Sequence, residues 1–280
     1  LAELQVRQIN IAGGEPFLHP ELPQLLRHIR AKQIFCVVVT NGTLLKSGRL
    51  ESVLEARPDV LAVSLDTLEP ATYRAIRGVS LLGVLEGLGK ALEEARRFPE
   101  VSIQVSAVLS KANIEQFISL VDFCRAIGVP IGVAPMHPTY AGNGEPEGLT
   151  CTEADVPRLR AVIEQLIRIK QEDEGAITNQ IPYLEGCVDY LVSRKLPEGF
   201  RCTAGFTSIM VDHELNVKNC PWMGPVGNLR TQRLAGLWSS EACNRQRGDM
   251  LNLRCTKCWQ RCATESTSRE WVESLMQSAR

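Results

Sequence analysis

Ten cysteines are spread unevenly along the 280 residues, and their spacing suggests metal chemistry. Six of them fall between Cys202 and Cys262, with seventeen residues between Cys202 and Cys220 and two between Cys255 and Cys258. A hairpin that returns Cys220 to Cys202, together with a tight turn at Cys255 and Cys258, would bring four thiolates to one site. Four thiolates can hold an iron-sulfur cluster or a tetrahedral zinc ion, and grouped cysteines favour ligands over disulfides.

Three further cysteines bear on this site. Cys262 can replace or supplement Cys258 as the fourth ligand. Cys243 falls within a predicted helix between the two cysteine groups, and we interpret it as a packing residue. Cys187 falls in an earlier helical stretch and is interpreted in the same way, with a substrate-facing thiol as the alternative.

A second candidate group is the run Ala12-Gly13-Gly14-Glu15-Pro16 at the end of a β-branched stretch. The two glycines let the backbone turn tightly and approach a ligand closely, and Pro16 restricts the exit from the turn. Glu15 is then presented where its carboxylate could hold a cationic amine through charge-assisted hydrogen bonds. The alternative is a solvated glutamate in an ordinary loop.

The elements that position these residues alternate in the first half of the chain. β-branched runs at 6–12, 34–40, 60–65, 101–108 and 129–134 predict five strands, and stretches such as 21–31 and 82–96 have apolar residues at helical spacing. This alternation indicates an α/β fold with a parallel sheet. The functional loops of such a sheet lie at the carboxyl ends of its strands.

The second half has a different organisation. Residues 139–150 are rich in Gly, Pro and polar side chains and predict a loop, and helices are predicted at 153–170 and 182–194. From Cys202 onward we expect a small cysteine-rich domain, with a hairpin (208–211 and 217–219) and a helix at 237–247.

Two further motifs follow the next predicted strands. Thr40-Asn41-Gly42 follows the second strand, where Asn41 could alternatively serve only to cap its turn, and Ser64-Leu65-Asp66 ends the third. Together with Gly-Gly-Glu-Pro after the first strand, these motifs resemble the partial (βα)6 barrel of radical S-adenosylmethionine (SAM) enzymes. The resemblance covers about residues 6–138. Each motif is short, but the three occur in register on successive strand ends.

The resemblance implies a role for each part of this edge of the sheet. Glu15, with the backbone of Gly13 and Gly14, would receive the methionyl amine of SAM. Ser64 and Arg77 could hold the carboxylate, since an arginine fork matches it with two hydrogen bonds. For Arg77, a plain surface charge is the alternative.

The ribose and adenine of SAM would be bound by residues farther along the sheet. Asp66 or Ser106 could reach the ribose hydroxyls, although each could also be an ordinary polar residue at a strand end. Backbone near Met136 could meet the adenine. The candidate cofactor-binding residues are therefore Gly13, Gly14, Glu15, Pro16, Ser64, Asp66, Arg77, Ser106 and Met136.

The sequence departs from the family in one respect. The radical-initiating [4Fe-4S] cluster of the family is bound by a Cys-x3-Cys-x2-Cys loop after the first barrel strand, and this sequence has no such spacing. The group from Cys255 to Cys262 has similar spacings in reversed order. We count five strands where a full barrel has six, and we expect the missing strand and loop upstream of Leu1. A degenerate family member is the alternative.

The cysteine-rich region resembles the twitch domain, a shortened relative of the SPASM domain, which implies an auxiliary [4Fe-4S] cluster. SPASM sequences usually have glycine five residues before the second cysteine, where this chain has Leu215. A zinc site is the alternative. The expected domains are a partial radical SAM barrel at 1–150, a helical bridge at 151–200 and an auxiliary-cluster domain at 201–280. The candidate metal ligands are Cys202, Cys220, Cys255, Cys258 and Cys262.

The implied activity is reductive cleavage of SAM to methionine and a 5′-deoxyadenosyl radical, which abstracts a hydrogen atom from the substrate. A peptide or protein that is oxidised or crosslinked is the first expectation, with a natural-product small molecule as the alternative. Flavodoxin or ferredoxin would supply electrons, and no residue is singled out as catalytic. The rival from another class is a non-catalytic scaffold that binds SAM and has a structural four-cysteine zinc site.

Charge balance and hydropathy argue against several other classes of protein. Thirty-one Lys and Arg balance 32 Asp and Glu, and no dense basic run is present, so neither nucleic acid nor a membrane surface is an expected partner. The longest strongly apolar run is far shorter than the roughly 20 residues of a membrane-spanning helix. Thiolate ligands favour a reducing compartment, and we expect the protein in the cytoplasm.

Overall fold

The computed structural model describes residues 4–137 and 148–264, which form two compact units. The first unit is Leu4–Thr178, and the second begins at Asn179. The boundary falls inside the predicted bridge at 151–200, because the long helix of that segment belongs to the first unit and two short helices belong to the second. Most of the predicted loop at 139–150 lies outside the described residues.

The first unit contains a curled half-barrel of five parallel strands, which are hydrogen-bonded in chain order. They are Gln8–Ile11 (β1), Phe35–Thr40 (β2), Val60–Ser64 (β3), Ser102–Leu109 (β4) and Ile131–Pro135 (β5). The predicted α/β fold with a partial barrel is therefore confirmed, and each strand lies within two residues of its predicted ends. Among the described residues, no strand pairs with the outer edge of β1.

Helices connect these strands. They are Leu22–Ala31 (α1), Arg49–Glu55 (α2), Pro70–Arg77 (α3), Leu81–Ala95 (α4), Phe117–Ala126 (α5) and Val156–Glu172 (α6), with 3₁₀ turns at Pro16–Leu18, Lys111–Gln116 and Glu153–Asp155. Local sequence explains α3 well. The Glu69 carboxylate caps its first turn by accepting from the backbone N–H groups of Ala71 and Thr72, and Gly78 ends it with a φ of +70°.

The two faces of the sheet differ in exposure, as the alternation of strand side chains requires. In β3, Leu61 and Val63 are 0% exposed, whereas Ala62 and Ser64 are 7% and 8% exposed. The same alternation is stronger in β4, where odd-numbered residues are buried and even-numbered residues are half-buried. One face thus belongs to the apolar core, and the other is available for ligands.

The second unit is built from short elements. They are Ile181–Glu185 (α7), Cys187–Ser193 (α8), Ala204–Thr207 (α9), Met210–Val211 (β6), Asn216–Lys218 (β7), Gly227–Asn228 (β8), Leu234–Trp238 (α10), Glu241–Leu251 (α11) and Arg261–Thr264 (α12). Strands β6, β7 and β8 form an antiparallel sheet, which confirms the predicted hairpin and adds a third strand.

Two predicted helices of this unit are wrong in extent. The helix predicted at 237–247 is split into α10 and α11, because the Ser240 hydroxyl accepts from the Cys243 backbone N–H and begins a new helix. The stretch at 182–194 is split at Gly186, against which the Trp259 ring packs. No helix of the described residues has the length and apolarity needed to cross a membrane.

Candidate functional site

The Glu15 carboxylate joins the ends of β1 and β2. Its Oε1 accepts from the Phe17 backbone N–H at 3.1 Å and from the Thr40 hydroxyl at 2.7 Å, and its Oε2 accepts from the Asn41 backbone N–H at 2.7 Å. A carboxylate has about four acceptor positions, and these contacts use three of them. Gly13 begins the turn with a φ of +135°, which strongly favours glycine. Pro16 is buried beside the partly exposed Glu15.

The turn after β2 is held by its own side chains. The Asn41 carboxamide oxygen accepts from the Thr43 backbone N–H at 2.9 Å, so Asn41 caps its turn as the alternative prediction states. Gly42 has a φ of +79°, and a Cβ atom there would lie 2.8 Å from a methyl carbon of Val84. This turn therefore fixes the backbone N–H of Asn41 that Glu15 binds.

Asp66 and Arg77 form a bidentate ion pair at the end of β3. The Arg77 Nη2 donates to Asp66 Oδ1 at 2.9 Å and its Nε donates to Oδ2 at 2.5 Å, while the Val108 backbone N–H donates to Oδ1 at 2.8 Å. Asp66 is completely buried, whereas the Arg77 side chain is 27% exposed. The buried Asp66 carboxylate therefore holds the Arg77 guanidinium in place.

Ser64, Ser106 and Met136 lie along the half-exposed face. Ser64 and Ser106 are direct partners in the β3–β4 register, and Ser106 is the partner of Gly132 in β5. Met136 follows β5 and donates its backbone N–H to the Leu109 carbonyl at 2.9 Å. Ser64, Ser106 and Gly132 are all small, so this row of the sheet has no bulky side chain that would fill the space above it.

Asn113 is a site residue that sequence reasoning missed. Its Nδ2 donates to the backbone carbonyls of Asp66 and Val108, each at 2.8 Å, and its Oδ1 accepts from the Ser110 backbone N–H. Asn113 is 0% exposed and ties the ends of β3 and β4 together. The signal was the spacing of Ser110 and Asn113, since a serine with a polar residue three positions later is typical of a capping box.

Four of the five candidate metal ligands line one cavity in the second unit. The cavity is lined by Phe200, Cys202, Cys220, Trp222, Met250, Leu253, Cys255, Thr256, Lys257 and Cys258. Cys262 is exposed and does not line it, although its charge acts on Cys202 and Cys258. The sequence-predicted hairpin and turn therefore bring these cysteines together.

Burial and mutual repulsion govern these thiols. The pKa of Cys202 is raised to about 12, chiefly by burial and also by repulsion from neighbouring thiolates, against an opposing hydrogen bond from the Ala204 backbone. Burial also raises the pKa of Cys258, with additional repulsion from Cys202, Cys220, Cys255 and Cys262. Four cysteine thiols line this cavity, and thiolate donors suit an iron-sulfur cluster or zinc.

Among the described residues, no three His, Cys, Asp or Glu side chains are placed to hold a metal ion. Cys243 and Cys187 are 0% exposed, and their thiols bond to the Asn219 side chain and the Tyr183 carbonyl, which confirms both as packing residues.

Leu215 has a left-handed backbone conformation at the turn between β6 and β7. Its φ of +67° lies in the left-handed region, where a non-glycine residue is strained. The turn between β6 and β7 is held by Asp212, whose Oδ1 accepts from the Glu214 and Asn216 backbone N–H groups. The hairpin thus forms this turn without glycine.

Comparison with known proteins adds the family. Residues 1–124 match the family model described as the Radical SAM superfamily. Residues 1–124 contain a radical SAM domain. This chain is also similar in fold to SuiB of Streptococcus suis bound to S-adenosylmethionine, with a TM-score of 0.66 and 19% identity over 86% of this chain and 56% of that chain. Native anSMEcpe with bound AdoMet has a TM-score of 0.60 and 15% identity over 88% and 69%.

The curated relatives that match the radical SAM domain are named GTP 3′,8-cyclases. The probable GTP 3′,8-cyclase of Methanococcus maripaludis is 31% identical over 139 residues, which are 49% of this chain and 46% of that protein. The GTP 3′,8-cyclase of Chlorobaculum tepidum is 28% identical over 140 residues, 49% of this chain and 42% of that protein. The chain spans about half the length of these curated relatives.

Proposed function

We propose that this protein is a radical SAM enzyme that modifies a peptide or protein, with an auxiliary [4Fe-4S] cluster held by the cysteines of the second unit. The observation that carries the proposal is the Glu15 carboxylate at the ends of β1 and β2, inside a radical SAM domain. A radical SAM cluster, if bound, would supply the electron for reductive cleavage of SAM into methionine and a 5′-deoxyadenosyl radical. The protein's part is binding, alignment and exclusion of water.

Each polar group of SAM has a partner under this proposal. Glu15 has one acceptor position left for the methionyl amine, and the buried Asp66 holds Arg77 where its guanidinium can receive the carboxylate. The small residues Ser64, Ser106 and Gly132 leave space for the adenosyl group. Met136 would supply backbone for the adenine.

Two sets of relatives suggest different substrates. SuiB has been seen bound to its precursor peptide SuiA and anSMEcpe with the Cp18Cys peptide, whereas the curated relatives are named GTP 3′,8-cyclases. The strand residues that are half-buried or exposed include no Lys or Arg; examples are Asn10, Val39, Gln104, Ser106 and Ala134. Arg77 lies at this edge but receives the SAM carboxylate under this proposal, so the strands offer a triphosphate no further cation, and a peptide substrate is favoured.

The auxiliary cluster would transfer electrons, because four cysteine ligands leave no iron position for a substrate. Oxidation or crosslinking of the substrate radical follows as the favoured reaction class, with flavodoxin or ferredoxin as electron donor. Thiolate-bound iron also favours a cytoplasmic location.

Metal analysis of protein purified without oxygen tests the cluster. We expect about four irons with acid-labile sulfide in the second unit, and stoichiometric zinc alone would contradict the proposal. Cys202→Ala and Cys220→Ala should empty the site, whereas Cys243→Ala should keep its iron because Cys243 does not line the cavity. Comparing Cys258→Ala with Cys262→Ala identifies the fourth ligand.

Product analysis tests the activity. Protein expressed from the complete gene, reduced with dithionite and given SAM, should release 5′-deoxyadenosine. A cluster-loaded protein that binds SAM without cleaving it would support the scaffold alternative. Titration with GTP should give no heat of binding, and tight binding of GTP would redirect the substrate class to nucleotides.

A further inference from the structure

Arg247 is a buried arginine in the second unit. It lies on α11 and is 8% exposed, with its guanidinium carbon 4.2 Å from the ring centre of Trp238 and 5.5 Å from that of Phe206. Its Nε donates to the Gly205 carbonyl at 2.8 Å, and its Nη1 donates to the Asn244 side chain at 2.7 Å. The guanidinium is therefore held in a fixed position.

The charge of this guanidinium has no acidic partner. Among the described residues, no Asp or Glu pairs with Arg247, and its Nη2 is buried without a hydrogen-bond acceptor. Burial lowers the pKa of Arg247, but an arginine keeps its proton in proteins. A buried charge that lacks a counter-ion is costly, and each unsatisfied buried donor adds to that cost. A nearby anion would therefore stabilise this guanidinium.

The stem of Arg247 and one residue that lines the cysteine cavity pack on the same glycine, Gly205. A Cβ atom on Gly205 would lie 2.9 Å from the Met250 sulfur and 3.2 Å from Arg247 Cγ, so Met250 and the Arg247 stem pack on the same residue. Met250 lines the cavity and shares a small core cluster with Cys202. Gly205 lies three residues after Cys202, so the bond from Arg247 to its carbonyl also fixes the Cys202 segment.

We propose that Arg247 is the positioning residue and compensating cation for an anionic iron-sulfur cluster in this cavity. The inference rests on the proposed auxiliary cluster. Four thiolates around a [4Fe-4S] core give the site a net negative charge, and reduction adds one more negative charge. A fixed cation nearby stabilises the reduced cluster more than the oxidised one, and so raises its reduction potential.

The test is a redox titration of the auxiliary cluster, followed by electron paramagnetic resonance, in anaerobically purified protein. Arg247→Met keeps an unbranched stem against Gly205 and removes the charge. We expect its one-electron reduction to be at least about tenfold less favourable, which is about 59 mV lower in potential. Arg247→Lys keeps the charge and should lie closer to wild type.

Arg245→Met is the matched control. Arg245 lies on the same helix, is 69% exposed and pairs with Glu241, so its removal should leave the potential unchanged. An Arg247→Met protein with full iron content and the wild-type potential would overturn the role of Arg247.

If Arg247→Met loses its iron, the cause is found by comparing the melting temperatures of the cluster-free wild type and the cluster-free variant. An unchanged or higher midpoint in the variant means that the charge holds the cluster, because the loss of iron then does not follow from a loss of folding stability. A lower midpoint means that Arg247 only supports folding, and the proposal fails. Wild-type protein without iron and sulfide overturns the auxiliary cluster itself, which is a separate result.

Discussion

Replacing Glu15 with glutamine should weaken both the fold and the binding of SAM. The carboxylate accepts three hydrogen bonds, two on Oε1 and one on Oε2. A glutamine oxygen can keep the two bonds from Phe17 and Thr40, but its amide group then faces the Asn41 N–H, donor against donor. The lost bond to a charged acceptor costs about 1.5–3 kcal/mol in the free energy of unfolding.

Thermal unfolding measures the first effect. For a unit of this size 1 kcal/mol corresponds to about 2–4 °C, so Glu15→Gln should lower the midpoint by roughly 3–12 °C in the absence of SAM. Glu21→Gln is the control, since Glu21 is exposed on the same loop and its side chain caps no helix N–H. An unchanged midpoint for Glu15→Gln would mean that the carboxylate does not hold β1 and β2 together.

Calorimetric titration of SAM measures the second effect. Loss of an ionised acceptor for the methionyl amine should cost about 1.5–3 kcal/mol, roughly tenfold to more than a hundredfold in the dissociation constant. Equal dissociation constants in wild type and Glu15→Gln, with a lowered midpoint, would mean that Glu15 is purely structural. The placement of SAM along these strand ends would then be wrong.

Three other substitutions test the packing around the two sites. Gly186→Ala should lower the unfolding free energy by about 1–3 kcal/mol, because the added Cβ would lie 2.3 Å from a ring carbon of Trp259; an unchanged denaturation midpoint would contradict this. Leu215→Gly should leave stability unchanged or raise it by up to about 1 kcal/mol, since relief of a left-handed backbone offsets the entropy of glycine. Asp66→Asn should destabilise the first unit by about 3 kcal/mol through loss of the bidentate pair with Arg77, and chemical denaturation that shows a smaller change than 1 kcal/mol would argue against it.

The cysteine site illustrates how far sequence spacing reaches. A hairpin after Cys202 and a tight turn at Cys255 were enough to predict that the thiols converge, because both depend on short-range backbone geometry. The choice among five sulfurs was not predictable. Exposure distinguishes Cys262 from Cys258, and exposure depends on packing between elements far apart in the chain.

Helix ends in the second unit show the limit of periodicity. Apolar spacing predicted a continuous helix across Ser239 and Ser240, but the Ser240 hydroxyl forms a cap and separates two helices. The break at Gly186 depends on Trp259, which is more than seventy residues away. A pattern read over a short stretch of sequence cannot predict a contact between residues so far apart in the chain.

The sequence by itself determined the order of the strands, their parallel pairing and the polar motifs at their carboxyl ends, because alternation of β-branched and amphipathic segments is a local property. Only the tertiary structure decided that Glu15 is shared between Thr40 and Asn41, that Asp66 is buried in a pair with Arg77, and that Arg247 has no acidic partner within the part of the chain that the structure describes. Hydrogen bonds and burial of this kind join residues distant in the chain. Their existence depends on register and packing to within about 1 Å, which composition and spacing do not specify.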